Sequence, residues 1–306
     1  MPALMLTLRR SLPIVGLIGV GFVLRQLRIL RQEDGHTMVR VVVNTTLPAL
    51  VFMSLVHAQV EMRTLLVFAL AGAAVSLVLH AAAMAATRAL GWPARVAGVV
   101  VLCTLVGSVG MFLSPFILTF YGTEYMGRVA ALDLGNTLLG SSYGGYVAMR
   151  YGAQRHWKWN AVATRLCSMP VIWACLLGIA LNLAHAQIPG PLNEMLDALA
   201  VANTPLAMLT LGLFVQLRVP NWQPALLAVS LRMGLGWLVG QGFVRLLGLE
   251  GVDQVVIGLG AAMPIGVLAL IHASTEGLDA ELAATALSLS IVIGAVATPL
   301  LLSLYA

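Results

Sequence analysis

Residues 104–115 read Thr-Leu-Val-Gly-Ser-Val-Gly-Met-Phe-Leu-Ser-Pro, an apolar stretch that contains two glycines and ends in a proline. Pro115 lacks a backbone donor and its ring clashes with the preceding turn, so a helix through this stretch is predicted to break. Residues 258–266 repeat the pattern, with three glycines around Pro264. The sequence therefore predicts two broken helices, and broken backbone in an apolar environment must be buried in protein or line a cavity.

The composition around these stretches places the chain in a membrane. Of its 306 residues 60% are hydrophobic and only 9% are charged, and the mean hydropathy is +0.94. Soluble proteins carry about 25% charged residues, so these side chains cannot cover a soluble globule of this size. A water-soluble enzyme or binding domain is excluded, and the class expected is an all-α polytopic membrane protein.

Apolar runs of spanning length follow one another along nearly the whole chain. A membrane helix needs about 20 apolar residues, and strand-type alternation is absent, so backbone hydrogen bonding in lipid requires helices. Ten transmembrane helices are predicted, called spans 1–10 below. They cover residues 11–27, 37–57, 64–87, 94–120, 127–149, 162–183, 191–217, 222–248, 252–273 and 281–304.

The basic residues predict the orientation. Of the 17 Lys and Arg residues, 11 lie in odd-numbered loops and 5 in the termini and even-numbered loops. Since Lys and Arg favour cytoplasmic loops, both termini are expected outside, in a bacterial inner (plasma) membrane. The same bias explains the net charge of +5 without a nucleic-acid partner. The odd-loop set is Arg25, Arg28, Arg31, Arg40, Arg88, Arg95, Arg150, Arg155, Lys158, Arg165 and Arg218, and the other set is Arg9, Arg10, Arg63, Arg128 and Arg245.

The two halves of the chain share landmarks. Prolines open spans 1 and 6, an asparagine precedes a proline in spans 2 and 7, and prolines lie within spans 4 and 9. Five spans is an odd number, so the second copy would be inverted, as in secondary transporters. The repeats are predicted at 1–155 and 156–306. The matching pairs are Pro13 and Pro170, Asn44 and Asn203, and Pro115 and Pro264.

Two charged residues are placed well within spans. Asp133 is the only carboxylate deep in a span, and Asn136 follows one turn later on the same face. Intramembrane ionisable residues are functional candidates, so Asp133 is either a coupling site for Na⁺ or H⁺ or a structural acid. Arg232 is expected to extend towards the cytoplasmic face; pairing with Asp133 or with a substrate anion is the alternative.

The remaining polar residues are given modest roles. His80 and His272 are expected to be core histidines rather than proton relays, and Asn44 and Asn203 to hydrogen-bond near helix breaks. The three cysteines are expected to be buried thiols. No residue set has metal-ligand spacing, and no cofactor is expected. The cysteines are Cys103, Cys167 and Cys175.

The stretch Gly140-Ser141-Ser142-Tyr143-Gly144 matches the G-x-S-x-G pattern of hydrolases. That pattern works only on a strand–turn–helix elbow, whereas here it lies in a predicted membrane helix where small residues favour close packing. No phosphate-binding loop is present, so ATP-driven transport by this chain alone is excluded. An enzyme is not expected.

Short motifs along the whole chain resemble the auxin efflux carrier family, which includes plant auxin exporters and bacterial carriers for malonate and related organic acids. Each motif is weak alone, but their order and spacing together are specific. They lie at 12–13 (Leu-Pro), 19–21 (Gly-x-Gly), 46–55, 110–115 (Gly-x-x-x-x-Pro), 121–122 (Tyr-Gly), 132–136 (Leu-Asp-Leu-Gly-Asn), 211–213 (Leu-Gly-Leu), 262–264 (Ala-Met-Pro), 277–279 (Gly-Leu-Asp) and 298–300 (Thr-Pro-Leu).

This resemblance implies an architecture and a mechanism. Spans 1, 2, 6 and 7 would form a scaffold, through which family members often form homodimers. Spans 3–5 and 8–10 would form a transport domain that moves like an elevator. The substrate would sit where broken spans 4 and 9 cross.

Two departures from the family pattern make the crossover less polar. Where the family has Asn-Thr-Gly in span 4, this chain has Ser108-Val109-Gly110. Where the family often has Thr and Asn after the span-9 proline, this chain has Ile265 and Leu268. Backbone dipoles would then contribute more of the binding, or the substrate is more apolar.

The sequence therefore predicts a carrier of small organic anions, of the carboxylate, malonate-like or auxin-like kind, surrounded by membrane lipid. Half-helix N-termini would bind the carboxylate. Two alternatives are a sodium- or proton-coupled antiporter or symporter of related fold, and a non-transporting sensor or scaffold. The predicted substrate-binding residues are Ser108, Val109, Gly110, Pro115, Asn136, Met263, Pro264 and Ile265.

Overall fold

A computed structural model describes residues 2–58, 61–152, 164, 166–216 and 222–305. The described residues are almost entirely helical, and an isolated antiparallel β-bridge joins Gly107 to Ile265. The predicted repeat boundary at 155/156 lies outside these residues. So do four of the basic residues used to predict the orientation, Arg155, Lys158, Arg165 and Arg218.

The helices follow the predicted spans, and several spans consist of two pieces joined by a wider π turn or a short extended segment. The π turns cover Val42–Thr46, Val109–Leu113 and Ser230–Leu235. The α-helices are α1 Pro2–Gln26, α2 Gln32–Val41, α3 Leu47–Val56, α4 Met62–Ala89, α5 Ala94–Leu105, α6 Ser114–Tyr121, α7 Met126–Tyr151, α8 Pro170–Leu183, α9 Gly190–Leu213, α10 Trp222–Val229, α11 Gly236–Leu247, α12 Gly251–Ala261, α13 Val267–Thr275 and α14 Ala280–Leu302.

Within the described residues, six helices are long and apolar enough to cross a membrane: Leu4–Gln26, Gln32–Val56, Met62–Ala89, Gly190–Leu213, Trp222–Leu247 and Ala280–Tyr305. Shorter apolar helices cover Ala94–Leu105, Val109–Tyr121, Pro170–Leu183 and Gly251–Ala261. The predicted class of polytopic helical membrane protein is therefore confirmed. The count of ten spans and their inverted symmetry stay predictions.

Span 6 differs from its predicted bounds of 162–183. Residues 164, 166 and 167 are helical as predicted, but Met169 is extended, and the helix α8 begins after this interruption at Pro170. Proline is favoured in the first turn of a helix because its missing N–H would have no partner there, and it biases the preceding residue away from helix. Residues 162, 163 and 165 of the prediction lie outside the described part of the chain.

The helices of predicted spans 1, 2, 6 and 7 pack against one another, α1 on α9 and α3 on both α8 and α9. Glycines let α1 and α9 approach closely. A Cβ atom on Gly21 would overlap the Leu209 carbonyl, and one on Gly212 would overlap the Ile18 carbonyl. Close backbone approach at small residues is the usual basis of helix association in membranes, where the hydrophobic effect contributes little.

The helices of predicted spans 3–5 and 8–10 form a second set of close pairs. α4 packs on α5 and α7, α12 on α11, and α10 on α14. Fully buried aromatic and aliphatic side chains fill the space between these helices, among them Phe68, Leu79, Phe112 and Phe116. The broken segments that follow α5 and α12 lie within this second set.

Candidate functional site

The two broken helices meet through their backbones. α5 ends at Leu105 and α12 at Ala261, and the extended segments that follow pair in antiparallel fashion. The Ser108 amide donates to the Pro264 carbonyl (2.8 Å), and the Gly266 amide donates to the Val106 carbonyl (3.0 Å). The breaks predicted from glycine and proline are present, and each break satisfies backbone groups of the other.

The break in span 4 lies earlier than Pro115, the residue from which it was predicted. The chain leaves the helix at Val106–Ser108, and Pro115 lies in the first turn of α6. Between them, Val109–Leu113 form a π turn. A wider turn before a proline relieves the clash of its ring with the preceding carbonyls, so Pro115 explains the π turn, and the flexible Gly107 accommodates the break.

Asp133 of α7 lies against the start of the second half of span 4. Its Oδ1 accepts the Gly110 amide at 2.9 Å, and only 7% of the residue is exposed. A Cβ atom on residue 110 would lie 2.5 Å from Oδ2 of Asp133, so only glycine fits at this distance. A carboxylate at a helix N-terminus is stabilised by the partial positive charge there.

Asn136 holds the extended turn of span 4 from both sides. Its Oδ1 accepts the Gly107 amide (3.1 Å), and its Nδ2 donates to the Gly107 carbonyl (2.8 Å). The Ser76 hydroxyl of α4 donates to the same Oδ1 at 3.1 Å. Asn136 is therefore engaged in structure through both Oδ1 and one of the two N–H groups of Nδ2.

Arg232 was expected to extend towards the cytoplasmic face, and this prediction is wrong. The residue is 1% exposed, and its Nε donates to the Met263 carbonyl (3.2 Å) while Nη1 donates to the Thr104 carbonyl (3.3 Å). Both acceptors lie near C-terminal helix ends, of α12 and α5. Such carbonyls have no intrahelical partner and carry partial negative charge, so a buried cation is stabilised between them.

The alternative that Arg232 pairs with Asp133 is not seen either. Among the described residues, one ion pair is present, between Arg128 at the start of α7 and Asp253 at the start of α12. The Arg232 guanidinium packs against Gly107, where a Cβ atom would overlap it, whereas the Asp133 carboxylate packs against Gly110. The crossover thus carries a cation at two helix C-terminal ends and a carboxylate at one N-terminal end.

A cavity of about 220 Å³ lies beside the crossover, between α2–α3 and the start of α8 on one side and the broken spans with α7 on the other. Most of its lining is apolar. The lining residues are Val39, Arg40, Val43, Asn44, Leu47, Val106, Gly107, Ser108, Val109, Gly110, Met111, Asp133, Asn136, Thr137, Met169, Val171, Gly266, Val267, Leu268 and Ile271.

The structure brings six of the predicted site residues to this cavity: Ser108, Val109, Gly110, Asp133, Asn136 and Asn44. Four others do not line it: Pro115, Met263, Pro264 and Ile265. Met263 and Ile265 are fully buried behind the crossover. Their backbone atoms contribute to the pairing, so their part is to shape the turn.

The remaining candidates make local contacts. Asn203 is fully buried and accepts the Thr46 hydroxyl at 3.0 Å. Asn44 lies in a π turn and donates to the Arg40 carbonyl at 2.7 Å, as expected for a side chain near a helix irregularity. Nε2 of His80 lies 3.1 Å from the Tyr143 hydroxyl.

The prediction that all three cysteines are buried is partly wrong, whereas the prediction that the G-x-S-x-G match lies in a helix is confirmed. Cys103 and Cys175 are buried thiols as expected, but Cys167, which lies in a short helical stretch before α8, is exposed. The G-x-S-x-G match lies inside the continuous helix α7, and the elbow that a hydrolase nucleophile needs is not formed at these residues.

Sequence reasoning missed three residues at the site. Arg40 was assigned to a loop, yet it lies on α2 and lines the cavity. Thr137 lines the cavity one turn after Asp133, but an isolated threonine gives no signal. Ser290 of α14 accepts the Ile265 amide at 3.1 Å, from a span that the motifs left without a role.

Broken helices that cross next to a cavity are a feature found in transporter folds. The chain belongs to the family described as membrane transport protein, whose model matches residues 7–152 and 156–302. The resemblance to auxin efflux carriers is thereby confirmed, and the protein is a membrane transporter.

Two relatives are themselves known only as transporters. An uncharacterized transporter of Methanothermobacter thermautotrophicus is 28% identical over 298 residues, which is 94% of this chain and 95% of the relative. An uncharacterized transporter of Methanocaldococcus jannaschii is 23% identical over 206 residues, which is 62% of each chain. Their names carry no substrate.

Proposed function

We propose that the chain is a secondary or facilitative carrier of small organic anions, and that the cavity beside the crossover is its substrate site. The observation that carries the proposal is the position of this cavity between the two sets of packed helices. Its volume of about 220 Å³ is below the roughly 300–1,000 Å³ of drug-sized ligand pockets, which favours a small substrate.

The donors for an anion differ from those predicted. The amides of Ser108, Gly110 and Gly266 are all engaged by protein acceptors, so the half-helix N-terminus is already occupied by Asp133. The Ser108 hydroxyl lines the cavity and makes no hydrogen bond among the described residues. Arg40 lines it too and is exposed; its Nη2 donates to the Thr37 hydroxyl at 3.3 Å, and its other N–H groups can donate to a carboxylate.

A second cavity supports alternating access. It has a volume of about 480 Å³ and lies further along the same helix pair, beside α3, α9 and the α6–α7 connection. Residues 39–47 line the first cavity and residues 50–57 line the second. Movement of spans 3–5 and 8–10 along spans 1, 2, 6 and 7 would carry a bound anion from one end of this interface to the other, which is elevator transport.

An ion-coupled carrier is the second candidate, because a carboxylate lines the substrate cavity. Asp133 accepts one backbone amide and lies in the same cavity as Ser108 and Arg40. Binding of H⁺ or Na⁺ at Asp133 would reduce repulsion of an incoming anion and so couple the two fluxes. This candidate predicts gradient-dependent uptake that is lost in Asp133→Asn, while gradient-independent exchange continues.

The test is flux of a radiolabelled carboxylate panel into proteoliposomes, with and without imposed Na⁺ and H⁺ gradients. Arg40→Gln is expected to raise KM about tenfold or more, since bonds to charged groups are worth roughly 1.5–3 kcal/mol. Arg28→Gln, an exposed arginine outside the cavity, is the matched control. Equal KM values in the two variants would refute the anion site, and saturable binding without flux would instead favour a sensor.

The proposed setting is the plasma (inner) membrane, with both termini on the outer face and a homodimer formed through spans 1, 2, 6 and 7. Apolar side chains exposed on α8, including Trp173, Leu176 and Leu177, are available to lipid or to a second copy. Thiol labelling of a cysteine placed at position 4 in sealed cells tests the orientation. Labelling by a membrane-impermeant reagent is expected.

A further inference from the structure

A third cavity lies away from the crossover, and the described residues that line it lie in spans 3, 4 and 5 or next to them. It has a volume of about 580 Å³ and opens where α4 and α7 end and α5 begins. These ends are the predicted cytoplasmic loops 3–4 and 5–6. The substrate cavity and this cleft share no lining residue.

The charged side chains among the described lining residues of this cleft are both basic. Arg88 in the last turn of α4 and Arg150 in the last turn of α7 line it, and both are exposed. Among the described residues of the lining none is acidic. Neither guanidinium has an ion pair or a hydrogen-bond partner in the described part of the chain. Two unpaired arginines at one cleft favour a divalent or phosphate-type anion, which guanidinium groups bind in bidentate fashion.

The helix α5 contributes a further donor to the same place. Ala94, its first residue, lines the cleft, and the preceding Pro93 provides no side-chain cap. The amides of Val96 and Ala97 bond to the Pro93 carbonyl, whereas the two amides before them have no helical acceptor. A helix N-terminus of this kind adds partial positive charge to that of the arginines.

Apart from Thr87, the other described residues of the lining are aromatic or apolar. Trp92, Tyr146 and Tyr151 line the cleft, and Tyr143 with His80 close its inner end, their rings edge to face at 5.1 Å. Met84 and Val147 lie beside them. Trp and Tyr are enriched at the depth of lipid headgroups, and basic pockets between membrane helices on the cytoplasmic side bind anionic headgroups.

We propose that this cleft binds the phosphate group of an organic phosphate, with Arg88 and Arg150 as its ligands. The headgroup of an anionic phospholipid in the cytoplasmic leaflet is the source that the aromatic lining favours, and a soluble phosphate ester is the other source. Because the described residues that line the cleft lie in or next to spans 3–5, a lipid held there contacts the part of the protein that the elevator proposal makes mobile. The binding itself does not depend on that proposal.

The experiment uses the full-length protein in uncharged detergent, with bound ligand counted by native mass spectrometry. Dioctanoyl phosphatidylglycerol, dioctanoyl phosphatidylcholine and glycerol 3-phosphate are titrated separately, and glycerol 3-phosphate is also added in competition with the phosphatidylglycerol. The variants are Arg88→Gln/Arg150→Gln, each single change, and the control Arg63→Gln/Arg245→Gln. The control removes the same charge from exposed arginines elsewhere. Thermal midpoints without ligand establish that each variant is folded.

We expect phosphatidylglycerol to bind in preference to phosphatidylcholine, and the double variant to weaken that binding about tenfold or more, because charge-assisted bonds are the strong ones. The control should stay within about twofold, as expected for exposed charges. Binding of glycerol 3-phosphate that displaces the lipid identifies the soluble source. Equal binding of the two lipids with no binding of glycerol 3-phosphate, or full retention in the double variant, overturns the proposal.

Discussion

Replacement of Arg232 by Met should lower the free energy of unfolding, because it removes two hydrogen bonds at the crossover. In the folded protein the guanidinium satisfies the Thr104 and Met263 carbonyls at 3.3 and 3.2 Å, and the side chain is 1% exposed. Methionine has a similar length but no donor, so both carbonyls lose their partner in a site closed to water. Each unsatisfied buried group costs about 1–3 kcal/mol, so the free energy of unfolding should fall by about 2–6 kcal/mol.

The measurement is unfolding in mixed micelles at increasing SDS fraction, followed by far-UV circular dichroism. Arg245→Met is the matched control, because Arg245 is an exposed arginine in the last turn of α11. Exposed substitutions usually stay within about 0.5 kcal/mol. Arg232→Lys should lie between Met and wild type, since an ammonium keeps the charge but lacks the planar fork. Equal free energies of unfolding for Arg232→Met and Arg245→Met would show that Arg232 does not stabilise the crossover by bonding to the two helix ends.

Three further changes test two sets of hydrogen bonds at the crossover and the contact between α1 and α9 by the same unfolding measurement. Asn136→Leu removes both bonds to Gly107 and should cost about 2–5 kcal/mol, and a change below about 1 kcal/mol would contradict the two-sided hold. Gly21→Val should cost about 1–3 kcal/mol or more by overpacking α1 against α9, whereas Gly19→Val, with open space at its Cβ, should not; equal effects would argue against the close contact. Ser290→Ala should cost about 1–3 kcal/mol by leaving a buried amide of the span-9 break unpaired, and wild-type stability would show that another acceptor takes over.

The helices and the two breaks could be predicted from the sequence, because apolar length and the Gly–Pro combination act locally. The fate of Arg232 could not. Its acceptors are the carbonyls of Thr104 and Met263, which lie 128 and 31 residues away along the chain. The prediction used only the depth of Arg232 within span 8, and at that depth a long basic side chain is expected to extend to the nearest water. It took no account of acceptor carbonyls from two other spans.

The half-helix N-termini were predicted to bind the carboxylate of the substrate, and that stays a prediction. The start of the second half of span 4 does attract a carboxylate, but the carboxylate bound there is Asp133. Sequence reasoning considered Asp133 and the N-terminus of span 4 separately. Their meeting depends on how α7 packs against the π turn at Val109–Leu113, which no pattern within either stretch specifies.

Because the bridge between Gly107 and Ile265 joins the two halves of the chain, neither half alone can satisfy all of its backbone hydrogen bonds. Produced alone, the first half would leave the Val106 carbonyl and the Ser108 amide unpaired, since their partners, Gly266 and Pro264, belong to the second half. Open strand edges of this kind are not tolerated within the hydrocarbon region. A gene cut between the halves would therefore have to yield fragments that assemble with each other during insertion. In a single chain the two halves are always synthesised together and in equal amounts, so each has its hydrogen-bond partner.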